Sequence, residues 1–268
     1  MSSNTPSLQH SIPPPMHRFH LPPEQCAGPT LTLTDREAHH GLRVLRLRRG
    51  ERAVVLDGAG GEMDCEVAEL RQDAIELQVT ARKLVPPLPC QITLLQAIPK
   101  GRLLEDIIQK ATELGVARIV PLLTARVVMQ LDGKKSADRT DQWRTVAREA
   151  IKQCGSTWLP TIDPPMTPAA FLARGEQFDL SLIGSLREGS RHPRAWFTAF
   201  QAEHQRPPRT IGVWVGPEGD FTDAEIAAAQ SAGARPITLG RLVLRCETAA
   251  TYCLSVLNYE MQSIHASE

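Results

Sequence analysis

Two segments late in the chain gather glycines and charged side chains at spacings that suit chemistry. The first is Val215-Gly-Pro-Glu-Gly-Asp-Phe221, which follows an apolar run from Ile211, so a buried strand passes straight into a turn bracketed by Gly216 and Gly219. Glycine accepts backbone geometry that other residues resist and lets a ligand approach the main chain closely. Thr222 and Glu225 then form a capping box that opens a helix running to about Gly233. A strand, a loop and a helix N-terminus in succession offer main-chain donors to a ligand's polar groups. The pattern is neither the glycine fingerprint of dinucleotide-binding folds nor a P-loop. The second segment, residues 237–248, mixes Leu239, Leu242 and Leu244 with Arg241, Arg245 and Glu247. Such a mixture of apolar and charged residues in a loop is unusual, and the plainest reading of Arg245 and Glu247 is a salt bridge beside a turn.

These loops need a scaffold, and the sequence predicts one. From residue 91 the pattern reads strand, helix, strand. Gln91 to Ile98 is an apolar strand, and Leu103, Leu104, Ile107, Ile108, Ala111 and Leu114 recur at helical spacing until Gly115. Residues 117–123 form the next strand. Residues 138–154 form a helix with Trp143, Val146, Ala147, Ala150 and Ile151 on one face, and strands follow at 180–183 and 211–215. This predicts an α/β domain with a largely parallel sheet, whose ligands gather at the carboxyl ends of the strands. A last helix, about 249–264, is apolar around much of its girth and must be buried, in the core or in a subunit interface.

The N-terminal part reads differently. Short runs at 53–56, 62–69 and 74–80, the last alternating strictly and the first two joined by Asp57-Gly-Ala-Gly-Gly61, predict half-buried strands of a small β-barrel-like domain, 17–84. Three prolines within 84–90 predict a stiff linker at 85–90, with the α/β domain at 91–268. Residues 1–16 are Ser/Pro-rich and are expected to be a disordered tail without the apolar core of a signal peptide. No apolar run approaches the ~20 residues of a membrane span, so a soluble cytoplasmic protein is expected.

Composition narrows the class. The 268 residues hold 30 Lys plus Arg against 30 Asp plus Glu, so nucleic acid cannot be held by bulk charge, only by a local patch. The six cysteines are scattered without a C-x-x-C pair, which predicts buried thiols and no metal site.

At these two loops the chain resembles the SPOUT methyltransferases, and within them the RsmE family. Its marks are Val215-Gly-Pro-Glu-Gly-Asp-Phe221 and Leu239-Gly-Arg-Leu-Val-Leu-Arg-Cys-Glu-Thr-Ala249. Earlier marks are Arg18-Phe-His20, His39-His-Gly-Leu-Arg-Val-Leu-Arg46 and Asp57-Gly-Ala-Gly60, then the stretch from Pro99 to Gly115, Glu149-Ala-Ile-Lys-Gln153 and Pro160. The chain departs from the family pattern at Asp220, where a second glycine is usual, at Cys246, where threonine is usual, and at Ser156, where arginine is common.

The resemblance implies a PUA-like β-barrel joined to a trefoil-knotted α/β domain that forms a homodimer, and transfer of a methyl group from S-adenosylmethionine to N3 of a uridine in 16S ribosomal RNA, without a metal. It places the cofactor in three loops: Ile183, Gly184 and Ser185; Gly216, Pro217, Glu218 and Gly219; and Leu239, Gly240, Leu242, Leu244, Cys246 and Thr248. Arg245 is expected to stabilise charge developing on the uracil oxygens, and Glu247 or Glu218 to accept the N3 proton.

The RNA itself is expected on two basic clusters. Residues 36–52 hold six arginines against two acids, and 100–152 hold eleven basic residues against seven acidic. Candidate contacts are Arg18, His39, His40, Arg43, Arg46, Lys100 and Arg102, with Lys134, Lys135 and Arg139 in a loop. From residue 203 onward five basic residues face eight acidic, and that end is read as uncommitted. Two competing readings are a non-catalytic ribosome-binding protein that retains the fold and a related methyltransferase acting on transfer RNA.

Overall fold

The computed structural model describes residues 17–126 and 133–265. The chain divides into two compact units: the described residues up to Asp57 with Gly61–Val85, and Gly58–Gly60 with Pro86 onward.

The first unit is a five-stranded sheet. Its strands are β1 (His17–His20), β2 (Thr30–Leu33), β3 (Arg52–Leu56), β4 (Gly61–Leu70) and β5 (Ile75–Leu84), in the order β1-β3-β4-β5-β2. Alternation sends Phe19, Leu31, Leu33, Val55, Val67, Ile75 and Leu77 inward to one core. Helix α1 (Asp35–His39) continues as a π-helical stretch over His40–Leu45. It ends at Arg46, whose φ of 55° turns the chain out of the helix. The basic segment is therefore a helical surface rather than a strand edge.

The second unit is α/β. Its six strands are β6 (Gln91–Ala97), β7 (Arg118–Leu122), β8 (Thr161–Ile162), β9 (Leu180–Gly184), β10 (Thr210–Val215) and β11 (Arg235–Ile237). They lie in the order β11-β9-β10-β6-β7-β8, every pair parallel. A parallel sheet is buried on both faces, which explains the nearly unbroken apolar runs of β6 and β10. One face packs on α2 (Leu103–Glu113), α3 (Gly133–Cys154), α5 (Pro193–His204) and α7 (Cys246–His265). The other packs on α4 (Pro168–Leu172) and α6 (Asp223–Ser231) through Phe171, Trp214, Phe221 and Ile226.

Three expectations are corrected. Lys135 and Arg139 lie in the first turns of α3, not in a loop; Lys134 shares that turn, but its side chain falls outside the described residues. Helix α7 begins at Cys246, three residues before the expected start, because its first turn lacks an apolar stripe to announce it. Cys154 is exposed, while the other five cysteines are buried as expected. The expected tail at 1–16 lies outside the described residues. No helix among the described residues is long and apolar enough to cross a membrane.

Candidate active site

Because β9, β10 and β11 run parallel, their carboxyl ends share one edge of the sheet, and the three loops leaving them meet there. Together they form a cleft of about 100 Å³. Its lining comprises Gly184, Ser185 and Leu186; Val215, Gly216, Pro217, Glu218 and Asp220; and Leu239, Gly240, Leu242, Val243, Leu244, Cys246 and Ala249. Ten of the predicted cofactor residues are thus brought together. Ile183 is not among them: strand alternation points it into the core beside Trp214. Gly219 lies outside the lining with its carbonyl turned to the Arg126 guanidinium, and Thr248 is exposed on α7. Leu186 and Val243 fall within the expected cofactor loops, 183–188 and 239–246, without having been singled out, whereas Val215, Asp220 and Ala249 were missed, their only signal being adjacency to the predicted loops.

Each loop is fastened locally. A side chain at Gly216 would place its Cβ 3.0 Å from Asp220 Oδ1 and 3.3 Å from Phe221, so any larger residue would crowd the turn and push these side chains aside. Glu218 Oε1 accepts the Lys100 N–H at 3.0 Å, tying this loop to the one after β6. The capping box forms as predicted, with Thr222 Oγ1 accepting the Glu225 N–H at 3.3 Å and the Glu225 carboxylate accepting the Thr222 N–H at 2.8 Å. Glu225 also accepts the Ala125 N–H at 2.8 Å, which anchors the chain after β7. The first loop is held by Ser185 Oγ, which accepts the Arg187 N–H at 3.2 Å, and by an ion pair of Arg187 with Asp223. In the third loop Thr238 Oγ1 accepts the Gly240 N–H at 3.2 Å, and Gly240 takes a φ of 112° that favours glycine.

The cleft has an apolar rim and an acidic end. Leu186, Leu242 and Val243 are 65%, 76% and 78% exposed around the opening, which for aliphatic side chains signals a surface that awaits a partner. The Cys246 thiol is pushed up to about 11, first by burial and then by the negative charges of Glu218 and Glu247. Such a thiol is inert as a nucleophile, so Cys246 serves as an apolar wall. Arg245 is exposed at the head of α7 and Glu247 is half-buried in its first turn. They form no ion pair with each other, and neither side chain has a polar partner among the described residues; neither lines the cleft, where Glu218 alone of the three predicted catalytic residues stands. Glu218 is committed to the Lys100 amide. The described residues contain no cluster of His, Cys, Asp and Glu able to hold a metal.

The RNA candidates fall in both units. In the first, His39, Arg43 and Arg46 are exposed, His40 packs its ring against Phe19, and Arg18 is half-buried. In the second, Lys100 and Arg102 are exposed beside the loop that Glu218 fastens, Lys135 is exposed in α3, and Arg139 lies 3.8 Å from the Glu105 carboxylate.

Comparison with known proteins places this geometry. Residues 86–258 match the RNA methyltransferase domain family, and residues 33–80 match the RNA methyltransferase PUA domain. A ribosomal RNA small subunit methyltransferase E of Synechocystis is 34% identical over 92% of this chain and 78% of its own length. One from Bacillus subtilis is 30% identical over 90% of this chain and 94% of its own. Among solved structures, a methyltransferase of Legionella pneumophila with bound S-adenosylmethionine superposes with a TM-score of 0.82, at 32% identity over 91% of this chain and 98% of that one. A Neisseria gonorrhoeae ribosomal RNA small subunit methyltransferase E bound to S-adenosylmethionine gives 0.79, at 28% identity over 91% and 97%. The fold is thus a PUA-like domain followed by a SPOUT methyltransferase domain.

Proposed function

The chain belongs to the ribosomal RNA small subunit methyltransferase E family, and from that premise we propose that it methylates N3 of a uridine in 16S ribosomal RNA with S-adenosylmethionine as the donor. The observation that carries this reading is the convergence of three loops, far apart in sequence, on one cleft at the carboxyl edge of the parallel sheet. The residues fit the cofactor. The aliphatic rim of Leu186, Leu242 and Val243 suits a flat base, the main chain around Gly184, Gly216 and Gly240 suits ribose hydroxyls, and the Glu218 carboxylate in the cleft lining suits a sulfonium cation. When bound, that group supplies an electrophilic methyl and departs as a neutral thioether.

The protein's share of the work is positioning and proton management. Uracil N3 carries a proton at neutral pH and is a poor nucleophile until it leaves. Glu247, unpaired and half-buried, is the acceptor in this reading, because Glu218 already holds the Lys100 amide. Arg245 offsets the negative charge that builds on the uracil oxygens. The loops would hold cofactor and acceptor base side by side, which would turn an encounter between separate molecules into a reaction within one complex. In the same reading the loops form a trefoil knot, two copies pair through α7, whose Tyr252 and Tyr259 are exposed, the basic residues of both units contact RNA, and the protein works in the cytoplasm.

The test is methyl transfer by the purified protein to small ribosomal subunits, followed by nucleoside mass spectrometry of the RNA. The product is 3-methyluridine. Arg245→Ala lowers turnover by about 10²–10³-fold and Glu247→Gln by about 10²–10⁴-fold, with cofactor affinity unchanged in both. A methyl group on another atom, or wild-type turnover in Arg245→Ala, contradicts the reading.

A further inference from the structure

At the β11 edge of the sheet one tryptophan carries two arginines, none of the three among the residues that line the cleft. Trp196 of α5 donates its indole N–H to the Pro236 carbonyl at 3.2 Å, which fixes the ring against β11. The Arg191 guanidinium lies 5.3 Å from the centre of that ring, and the Arg235 guanidinium 5.6 Å. Both arginines are exposed, and neither has a carboxylate within ion-pair distance among the described residues. Their neighbours differ: Arg187 is paired with Asp223, Arg194 with Glu260 and Arg206 with Asp179. Each guanidinium is drawn to the ring by cation–π attraction, and two positive charges at one ring make the corner attractive to an anion. A stacked guanidinium keeps its N–H donors free and has already lost much of its rotamer freedom, so little further ordering is needed on binding.

Trp196 and Arg235 also line a cavity of about 320 Å³, within the ~300–1,000 Å³ range of small-ligand sites. It exists because β11 begins opposite Leu182, which leaves Leu180 and Ser181 of β9 without a strand on that side. Phe171, Phe178, Phe200 and Trp214 supply further aromatic wall. Of its carboxylates, Glu176 is paired with Arg118 and Arg174 and Asp179 with Arg206, leaving Glu203 exposed at the rim. Unpaired RNA bases bind by stacking on aromatic and guanidinium planes.

We propose that this corner binds one unpaired nucleotide of the RNA substrate, its phosphate on the Arg191 and Arg235 guanidinium groups and its base in the aromatic cavity. The inference rests on the RNA-methylating function proposed above. Its test compares wild type with the Arg191→Ala/Arg235→Ala double variant and with Ala199→Trp, which fills the cavity from the exposed face of α5. Affinity for 16S ribosomal RNA is measured at several salt concentrations, alongside kcat and KM for methyl transfer. The double variant is expected to raise KM and Kd about tenfold and to flatten the salt slope by about one phosphate contact, with kcat unchanged. Ala199→Trp is expected to weaken binding several-fold without moving the slope. Wild-type affinity and slope in both variants overturns the proposal. Binding of inorganic phosphate at these arginines with no change in RNA affinity also overturns it, since the corner is then a free-anion site. RNA affinity is read directly, so a wild-type protein that binds RNA through these residues but transfers no methyl refutes the proposed function and leaves this inference standing.

Discussion

Asp220 holds a φ of 62°, in the left-handed region where glycine is at ease, at the position where the family pattern has glycine. Aspartate tolerates that geometry better than most residues because its short side chain bonds locally, and here Oδ1 accepts the Phe221 N–H at 2.7 Å. The departure from the pattern is therefore compensated within the residue itself. Asp220→Ala removes the hydrogen bond and keeps the strain, a loss of about 1–2 kcal/mol, whereas Asp220→Gly relieves the strain it uncovers and stays near wild type. Urea unfolding of the two variants checks this, and equal stability of the alanine and wild-type proteins refutes it. Of the three charged residues singled out by sequence, Arg245 and Glu247 remain available, while Glu218 serves the Lys100 amide. No pattern of residue types distinguishes a free glutamate from one bonded to a main chain 118 residues away.

At the scale of elements, the entry to β9 depends on Asp179, which accepts from Arg206 at 2.8 and 2.9 Å and from the Arg209 N–H at 2.7 Å. These donors hold its carboxyl far below the ordinary range, the Arg206 hydrogen bonds contributing most. A folded-state pKa below the unfolded one means stabilisation that is complete above the ordinary carboxylate pKa of ~3.9 and lost as pH falls through the folded value. Asp179→Asn is thus expected to cost about 1 kcal/mol near neutrality, modest because Arg206 is partly exposed. The gap between variant and wild type should close only on acidification below about pH 4. Denaturation midpoints across pH measure it; a gap that persists undiminished in acid contradicts it. Elements with strong periodicity, such as α2, β6 and β10, were legible in the sequence. Helix α5 was not, since Trp196, Phe197 and Phe200 are set among exposed polar residues and Trp196 caps a sheet edge rather than a face. β11 is three residues long and contains Pro236, too short to show a period.

For the whole molecule, the balance of 30 basic against 30 acidic residues is resolved by placement. Exposed arginines mark the helical surface after β2, and Arg191 and Arg235 mark a sheet edge that no cluster along the chain announces, because strand order and not sequence order brings them together. The cleft was legible for the same reason in reverse: its residues sit in two dense segments whose glycines and charges are visible without a fold. The first loop was harder, and Ile183 shows why, since a one-residue shift along a strand exchanges cleft for core. The central claim is methylation of uridine N3 in 16S ribosomal RNA. Its most direct test is nucleoside mass spectrometry of 16S ribosomal RNA from cells lacking this gene and from the same cells with it restored. The account predicts that 3-methyluridine disappears in the first and returns in the second; its persistence without the gene would contradict the claim.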